Sequence, residues 1–551
     1  MNVREVHLRI SGMTCPGCAR TVERVVHQLP GVEAVKVAYP EGTAVVRYDP
    51  SQLSVQAIIE QINSTKQYRA VADEGRATGN SNGKERHFDL IIIGGGSAAF
   101  AAAIEAHRQG LRTLVVNAGL PMGGTCVNVG CIPSKFLVEA AHQMAACRKQ
   151  RYAGITVDPP DLDYAALQQQ LQQTVRQLRK AKYADILETL ATVTWVEGWA
   201  TFVDPHTIWV GETLYTADAF LIATGSEPAV PPIPGIEAVP YLTNETLFEV
   251  TELPSVLAII GGGAVGVELA QAFARFGSQV VVIEMQPSLL PPESPDIGRI
   301  IQRQLEAEGV QIYTAARVES VSAQGDGTIA VTVDRGGERI SVAATHLLIA
   351  TGRRGRTQRL GLERIGVETD AQGKVVVNEY LQSSVPHIYA AGDCNQLPAF
   401  VYTAAAEGRQ AVQNFTGQPQ PLDYTTLPWV IFTDPQVAGV GKDILQLEQQ
   451  GQDYDIAELS LAEVPRAIVS QQTEGFIRLI RDPATDRLLG ARIVAPAAGE
   501  LIVSLQWAMR YRIPVAEIAR NWCPYLTFAE GVKLAALSFE QDVRQLSCCA
   551  V

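Results

Sequence analysis

Runs of apolar residues with different periods divide the chain into segments of different character. VHLRI, Val6 to Ile10, alternates apolar and polar positions, and a helical stripe opens around the second cysteine of SGMTCPGCARTVERVV. VEAVKVAY and TAVVRYD alternate on either side of the turn PEG, and VQAIIEQI carries an apolar helical face. The order strand, helix, strand, strand, helix, strand over residues 1–72 predicts a small ferredoxin-like βαββαβ domain. ADEGRATGNSNGKER, Ala72 to Arg86, replaces periodicity with Gly, Ser, Asn and charge, so residues 73–87 read as a flexible linker.

From Phe88 the pattern changes. FDLIIIGGGSAAFAAAIEAHRQGLRTLVVN is an apolar strand, a glycine turn, a small-residue helix and a second strand, and SVLAIIGGGAVGVELAQAFARFGSQVVVIE repeats the design. Two Rossmann-like α/β domains with parallel sheets are predicted. Beyond Tyr424 strands mix with helices: FIRLIRDPATDRLLGARIV reads as a hairpin and ELIVSLQWAMRY as a helix, which predicts a separate α+β domain over 425–551.

Composition narrows the function. A chain of 551 residues exceeds one hydrophobic core, so roughly three or four domains are expected. The formal charge of -13 offers no basic field for nucleic acid. No uninterrupted apolar run reaches the roughly 18 residues of a membrane span. The opening MNVREVHLRI carries Arg4, Glu5 and Arg9 where a secretory leader needs apolar residues, so a cytoplasmic protein is expected. In a reducing compartment, close cysteines serve redox or metal chemistry. Six of the nine cysteines form close pairs: Cys15 with Cys18, Cys126 with Cys131, and Cys548 with Cys549. Cys147, Cys394 and Cys523 stand apart, where a small buried hydrophobe is the ordinary role.

The glycine turns read Gly94-x-Gly96-x-x-Ala99 and Gly261-x-Gly263-x-x-Gly266. The first glycine permits the turn, the second admits a pyrophosphate, and the third small residue lets helix pack on strand. The acidic residue that holds ribose hydroxyls is Glu284 in the second copy, whereas the uncharged Asn117 stands there in the first.

GGTCVNVGCIPSK, Gly123 to Lys135, together with ATG at Ala223 to Gly225 and at Ala350 to Gly352, and IYAAGDC, resembles the flavin-dependent pyridine nucleotide-disulfide oxidoreductase family from Phe88 to the C-terminus. The resemblance implies an FAD domain over 88–240 with a return segment 361–424, an inserted NAD(P) domain over 241–360, and an interface domain that makes a homodimer with shared active sites. Gly124, Thr125, Lys135, Thr224, Gly225 and Gly352 fall in its cofactor motifs, and Asp393 matches the residue that holds the flavin's ribityl chain. By the same resemblance Cys131 faces the flavin, Cys126 faces substrate, and Glu268 pairs with Lys135. A predicted helix start and Lys135 favour the Cys131 thiolate.

Relatives that reduce disulfides carry His-Pro-Thr-x-x-Glu, and here the segment is YLTFAE, with Tyr525, Thr527 and Glu530. A phenol with a pKa near 10 is a poor proton shuttle. A soft ion such as Hg(II) needs no strong base to pass between thiolate pairs. YLTFAEGVKLAA and LSCCAV with the redox motif are similar to the Hg(II)-reducing branch of the family, in which the tail pair of one subunit passes the ion to the redox pair of the other. Cys548 and Cys549 match that tail pair, and Tyr183 and Tyr525 match residues lining the metal site, although packing is the ordinary role of a lone tyrosine. GMTCPGC, Gly12 to Cys18, resembles heavy-metal-associated domains, in which two thiolates hold a soft ion; Cu(I) suits the pair as well as Hg(II).

The expected activity is reduction of Hg(II) to volatile elemental mercury through FAD, with the ion travelling from Cys15 and Cys18 to Cys548 and Cys549 and then to Cys126 and Cys131. Hand-off from a membrane transporter would feed that route. The alternatives are a dihydrolipoamide dehydrogenase-like disulfide reductase, which would act on dihydrolipoamide, and a Cu/Hg trafficking protein, which would purify without FAD. The resemblance implies NADPH, whereas Glu284 and Gly266 lean towards NADH.

Overall fold

The computed structural model describes all residues except 1–3, 12–15, 39–41, 51, 66–67, 73–85, 149–150, 159 and 547–551. Residues 73–85 of the expected linker, Cys15 and the tail pair Cys548 and Cys549 lie outside the described residues, as does the side chain of Cys18; His87, the last residue of that expected linker, opens the strand His87–Ile93. The chain divides into two compact units, one of the N-terminal residues to His87 and one that begins at Phe88 and holds almost all the rest. Among the described residues no helix is long and apolar enough to cross a membrane.

In the first unit, strands Arg4–Ser11, Val32–Ala38, Thr43–Tyr48 and Arg69–Ala72 form one antiparallel sheet in the order second, third, first, fourth, with helices Pro16–His27 and Val55–Asn63. The alternation read from the sequence places Leu8, Ile10 and Val46 on the inner face, where they meet Val22, Val26, Ile58 and Ile62 of the helices. Ser54 starts the second helix, its hydroxyl accepting a bond from the N–H of Ala57. The first helix begins at Pro16, two residues ahead of Cys18, so the second cysteine lies in its first turn.

The second unit contains three sheets that matter for function. The first has Val193–Glu197, Thr113–Asn117 and His87–Ile93 side by side, then Thr213–Ile222 and a short antiparallel meander. The late strand Ile388–Ala390 joins it parallel to Thr213–Ile222, so the chain returns to its first sheet after building a second. That second sheet is wholly parallel, ordered Tyr241–Leu242, His346–Ile349, Val256–Ile260, Gln279–Ile283, Gln311–Tyr313, and carries a three-stranded antiparallel appendage, Arg317–Ala323 to Glu338–Ala344, that the apolar pattern did not announce. The third is antiparallel, with Phe476–Asp482 and Arg487–Ala495 as its central hairpin and the helix Ala498–Arg510 against it.

A close helix contact ties the returning segment to the first glycine turn. The helix Val401–Phe415 packs on Ser97–Arg108, and a Cβ added at Gly408 would stand 2.1 Å from the carbonyl oxygen of Ala98. Only a residue without a side chain lets the two backbones approach so closely.

Candidate active site

Two consecutive glycines set the redox motif against the first dinucleotide turn. Gly123 and Gly124 have φ of 97° and 60°, a region that L side chains avoid, and a Cβ on Gly124 would lie 2.8 Å from the Cα of Gly96. The short helix Gly124–Val129 carries Cys126 and ends at Gly130, and Cys131 is the first residue of the eighteen-residue helix Cys131–Arg148. Cys126 is half-buried and Cys131 exposed.

The two thiols share a hydrogen bond, and their acidities split. The Cys126 thiol bonding to its sulfur holds Cys131 down at about 7; the protein packed around the sulfur partly desolvates it and opposes this, although the residue as a whole is exposed, and the positive charge of Lys135, one turn along the helix, adds to the lowering. Cys126, which faces the Cys131 thiolate, is pushed far up and keeps its proton. The sequence drew attention to the helix start and Lys135; the larger cause is the second cysteine.

Lys135 Nζ lies 2.5 Å from Glu268 Oε2, and the other oxygen of this buried carboxylate accepts the Phe432 N–H at 2.8 Å. Lys135 also sits 4.6 Å from the centre of the Phe432 ring. One ion pair thus joins the redox helix, the second fingerprint helix Ala264–Phe276 and the turn between Pro428–Ile431 and Gln436–Gly441, the first two strands of the third sheet. Tyr183 lies in a single π-helical turn, Lys180–Ala184, a local widening frequent at functional sites. Its ring meets Phe100 edge-on at 4.8 Å. Burial raises its pKa while a bond with Ser97 opposes the rise, and the negative charge of the adjacent thiolate pair adds to the rise, so the phenol stays protonated beside the thiols.

A cavity of about 400 Å³ runs along the first fingerprint, lined among others by Gly94, Gly96, Asn117, Gly124, Thr224 and Arg356. Ala99 is fully buried behind the turn. The Thr224 hydroxyl is buried with no protein partner, and the nearest atom to a Cβ on Gly96 would be 3.8 Å away. An orphaned hydroxyl on a glycine-walled cleft fits FAD, the group the fold family implies. Asn117, uncharged in the sequence, has a carboxylate beside it: its amide donates to Glu197 Oε2 at 3.2 Å from the end of the neighbouring strand.

Sequence reasoning missed a relay of polar residues behind this cavity. Ser226 donates to Asp393 Oδ2 at 2.8 Å, Arg353 Nε donates to Ser226 Oγ at 2.7 Å, and Arg353 Nη1 donates to Asn244 Oδ1 at 2.8 Å. Asn244 in turn donates to the carbonyl of Val129 at 2.9 Å, two residues before Cys131. Fully buried Glu407 accepts from the Gly392 N–H and the Asn395 amide, pinning the loop that carries Asp393. Gly225 and Gly352 adopt φ of 69° and 104° in the two ATG turns.

At the second fingerprint, a Cβ on Gly266 would fall 2.0 Å from the Gly261 carbonyl oxygen, whereas one on Gly263 would meet nothing within 4 Å. Helix and strand close together behind the turn, and the helix start stays open to a pyrophosphate. Both oxygens of Glu284 accept backbone N–H groups, from Gly262 and from Gln286, each at 2.6 Å.

Tyr525 stands half-exposed on the turn before the helix Phe528–Leu537. Thr527 caps that helix and Glu530 reaches back to the Leu526 N–H at 3.3 Å, so within one chain Glu530 acts as a capping carboxylate. Of the lone cysteines, Cys394 is buried and burial pushes its thiol up to about 12, whereas Cys147 and Cys523 are only part-buried.

Residues 88–408 match the family described as pyridine nucleotide-disulphide oxidoreductase, residues 427–536 its dimerisation domain, and residues 7–68 the heavy-metal-associated domain. The chain is 40% identical over 549 residues to a mercuric reductase of Acidithiobacillus ferrooxidans, covering 98% of each. It is 44% identical over 472 residues to that of Streptomyces lividans, covering 84% of this chain and 98% of that one, and 36% identical over 553 residues to that of Staphylococcus aureus, covering all of both. Among solved structures, the Cu(II) complex of the HOCl-induced flavoprotein disulfide reductase RclA of Escherichia coli superposes with a TM-score of 0.74 at 29% identity, over 83% of this chain and 100% of that one. The chain belongs to the pyridine nucleotide-disulphide oxidoreductase family and, within it, to the mercuric reductases.

Proposed function

We propose that the protein reduces Hg(II) to elemental mercury, as a homodimer, with electrons from a nicotinamide dinucleotide. One observation carries this reading beyond family membership: a thiol held near pH 7 and bonded to a second thiol, in a chain whose YLTFAE segment lacks the histidine of disulfide-reducing relatives. Such a site binds a soft cation well and shuttles protons poorly.

FAD, when bound, accepts hydride from the nicotinamide and supplies an electron pair to the metal. Thiolates enter and leave a two-coordinate soft ion one at a time, so Hg(II) arriving on two thiols exchanges first onto Cys131, already ionised, and then onto Cys126, whose proton leaves with the outgoing thiol. The Glu268 carboxylate anchors Lys135, whose charge holds the Cys131 thiolate in place. Tyr183, kept neutral by burial, can orient the bound ion through its phenolic oxygen. For mercury bound by two thiolates, one hydride equivalent and one proton enter, and elemental mercury, two thiols and oxidised nicotinamide leave.

Cys15 and Cys18 collect the ion, Cys548 and Cys549 relay it, and Tyr525 with Glu530 of the same late segment lines the partner subunit's redox pair. The test follows oxidation of reduced nicotinamide by the purified protein under excess small thiol, with and without Hg(II), while volatile mercury is trapped. Metal-dependent oxidation matched by mercury release is the expected result; turnover of dihydrolipoamide with no mercury released would return the disulfide-reductase reading.

A further inference from the structure

We propose that the protein takes its electrons from NADH in preference to NADPH, with Glu284 as the residue that excludes the 2′-phosphate. The inference deepens the reading above and rests on it for the use of a nicotinamide dinucleotide.

Glu284 immediately follows the strand Gln279–Ile283 and is almost wholly buried. Three bonds fix it beside the glycine turn. Its own N–H donates to the Tyr313 carbonyl at 2.8 Å, while its carboxylate holds the Gly262 and Gln286 N–H groups. A carboxylate clamped from both oxygens cannot swing aside for a larger ligand. Each oxygen keeps a second lone pair, so the group still accepts from the hydroxyls of an adenosine ribose.

A 2′-phosphate changes both terms of that contact. It carries close to two negative charges at neutral pH and has no proton to donate, so a hydrogen bond is replaced by repulsion at short range. A site built for NADPH sets a cation next to this strand end to offset that charge. Here the residues that follow, MQPSLLPPESPDIG from Met285 to Gly298, contain no lysine or arginine, and the first cation is Arg299, on the helix Pro295–Ala307. On the antiparallel appendage Arg317–Ala323 to Glu338–Ala344, Arg335 is engaged over the Tyr313 ring at 6.0 Å, and the exposed Arg317 stands across the strand pair from the acidic Asp334. Met285, the residue after Glu284, is 64% exposed, so the position from which a cation could reach a 2′-phosphate holds a thioether.

The test uses the FAD-loaded protein without mercury. Anaerobic bleaching of the flavin by NADH and by NADPH is timed, and calorimetry measures the affinities of ADP-ribose and 2′-phospho-ADP-ribose. NADH is expected to be favoured at least about tenfold, a difference of about 1.4 kcal/mol, with the phosphate-free fragment binding more tightly. Glu284→Gln is expected to narrow the ratio, and Met285→Arg, which leaves the buried clamp intact, to raise the rate with NADPH. Equal or faster bleaching by NADPH, tighter binding of the 2′-phosphate fragment, or a ratio unmoved by both substitutions would overturn the proposal. Because no metal is present, the outcome is independent of mercury reduction: rapid bleaching by NADH in a protein that releases no mercury would sink the metal reading and leave this one standing.

Discussion

At the scale of single residues, the site rests on an unequal pair of thiols. A free thiol has a pKa near 8.5, and Cys131 is held at about 7, chiefly by the hydrogen bond from Cys126. Its thiolate fraction therefore rises through neutral pH, and falls below it. We predict that the rate of Cys131 alkylation by iodoacetamide, in a Cys126→Ser background that retains a donor, titrates with a midpoint well below that of a free thiol. Cys126→Ala removes the donor and should move the midpoint upward by about one unit, because a shift of one unit corresponds to about 1.4 kcal/mol, the usual scale of a hydrogen bond to a charged group. Identical midpoints in the two variants would show that the helix start and Lys135 suffice. The motif itself was legible, since Cys126, Cys131 and Lys135 stand within ten residues. Asn244, Arg353 and Ser226, which link that motif to the already recognised Asp393, were not: their bonds join positions 109 to 167 residues apart, and no local period announces them.

At the scale of elements, periodicity was a good guide wherever one face of a strand or helix is buried. The βαββαβ order of the N-terminal unit, the two glycine turns and the hairpin Phe476–Asp482 with Arg487–Ala495 all follow from it. It said nothing of the π-helical turn that carries Tyr183 or of the meander Arg317–Ala323 to Glu338–Ala344, whose short alternating strands gain their partners only through the fold. Nor did it announce that Gly408 is where two helices meet. A Gly408→Val substitution should drive its side chain into the Ala98 carbonyl, part the helix behind the first fingerprint from the helix that follows Asp393, and cost about 1–3 kcal/mol as an overpacking lesion. Because the helix Ser97–Arg108 starts at the glycine turn that lines the FAD cleft, the ratio of flavin absorbance to protein absorbance after gel filtration should fall along with the melting temperature. A destabilised protein that retains full flavin would separate the helix contact from cofactor binding.

At the scale of the molecule, the C-terminal domain leaves large apolar groups uncovered in a single chain: Trp507, Tyr511 and Trp522 are 62%, 74% and 97% exposed. An apolar surface of this kind marks an interaction site, and residues 427–536 match a dimerisation domain. Light scattering should therefore report twice the 59.5 kDa chain mass, and Trp522→Asp should shift the population towards single chains with loss of mercury reduction. A shared site makes a sharper demand. If the tail of one subunit serves the redox pair of its partner, a Cys126→Ala chain and a chain carrying Cys548→Ala with Cys549→Ala are each inactive towards thiol-chelated mercury as homodimers. In the mixed dimer, however, one of the two sites receives an intact redox pair from one chain and an intact tail from the other. Co-expression with two different affinity tags isolates that heterodimer, and about half of the wild-type rate per dimer is expected. If the tail serves its own chain, neither site of the heterodimer is complete and the rate stays at that of the parents. Recovery of activity on mixing two inactive chains can arise only from metal transfer between subunits.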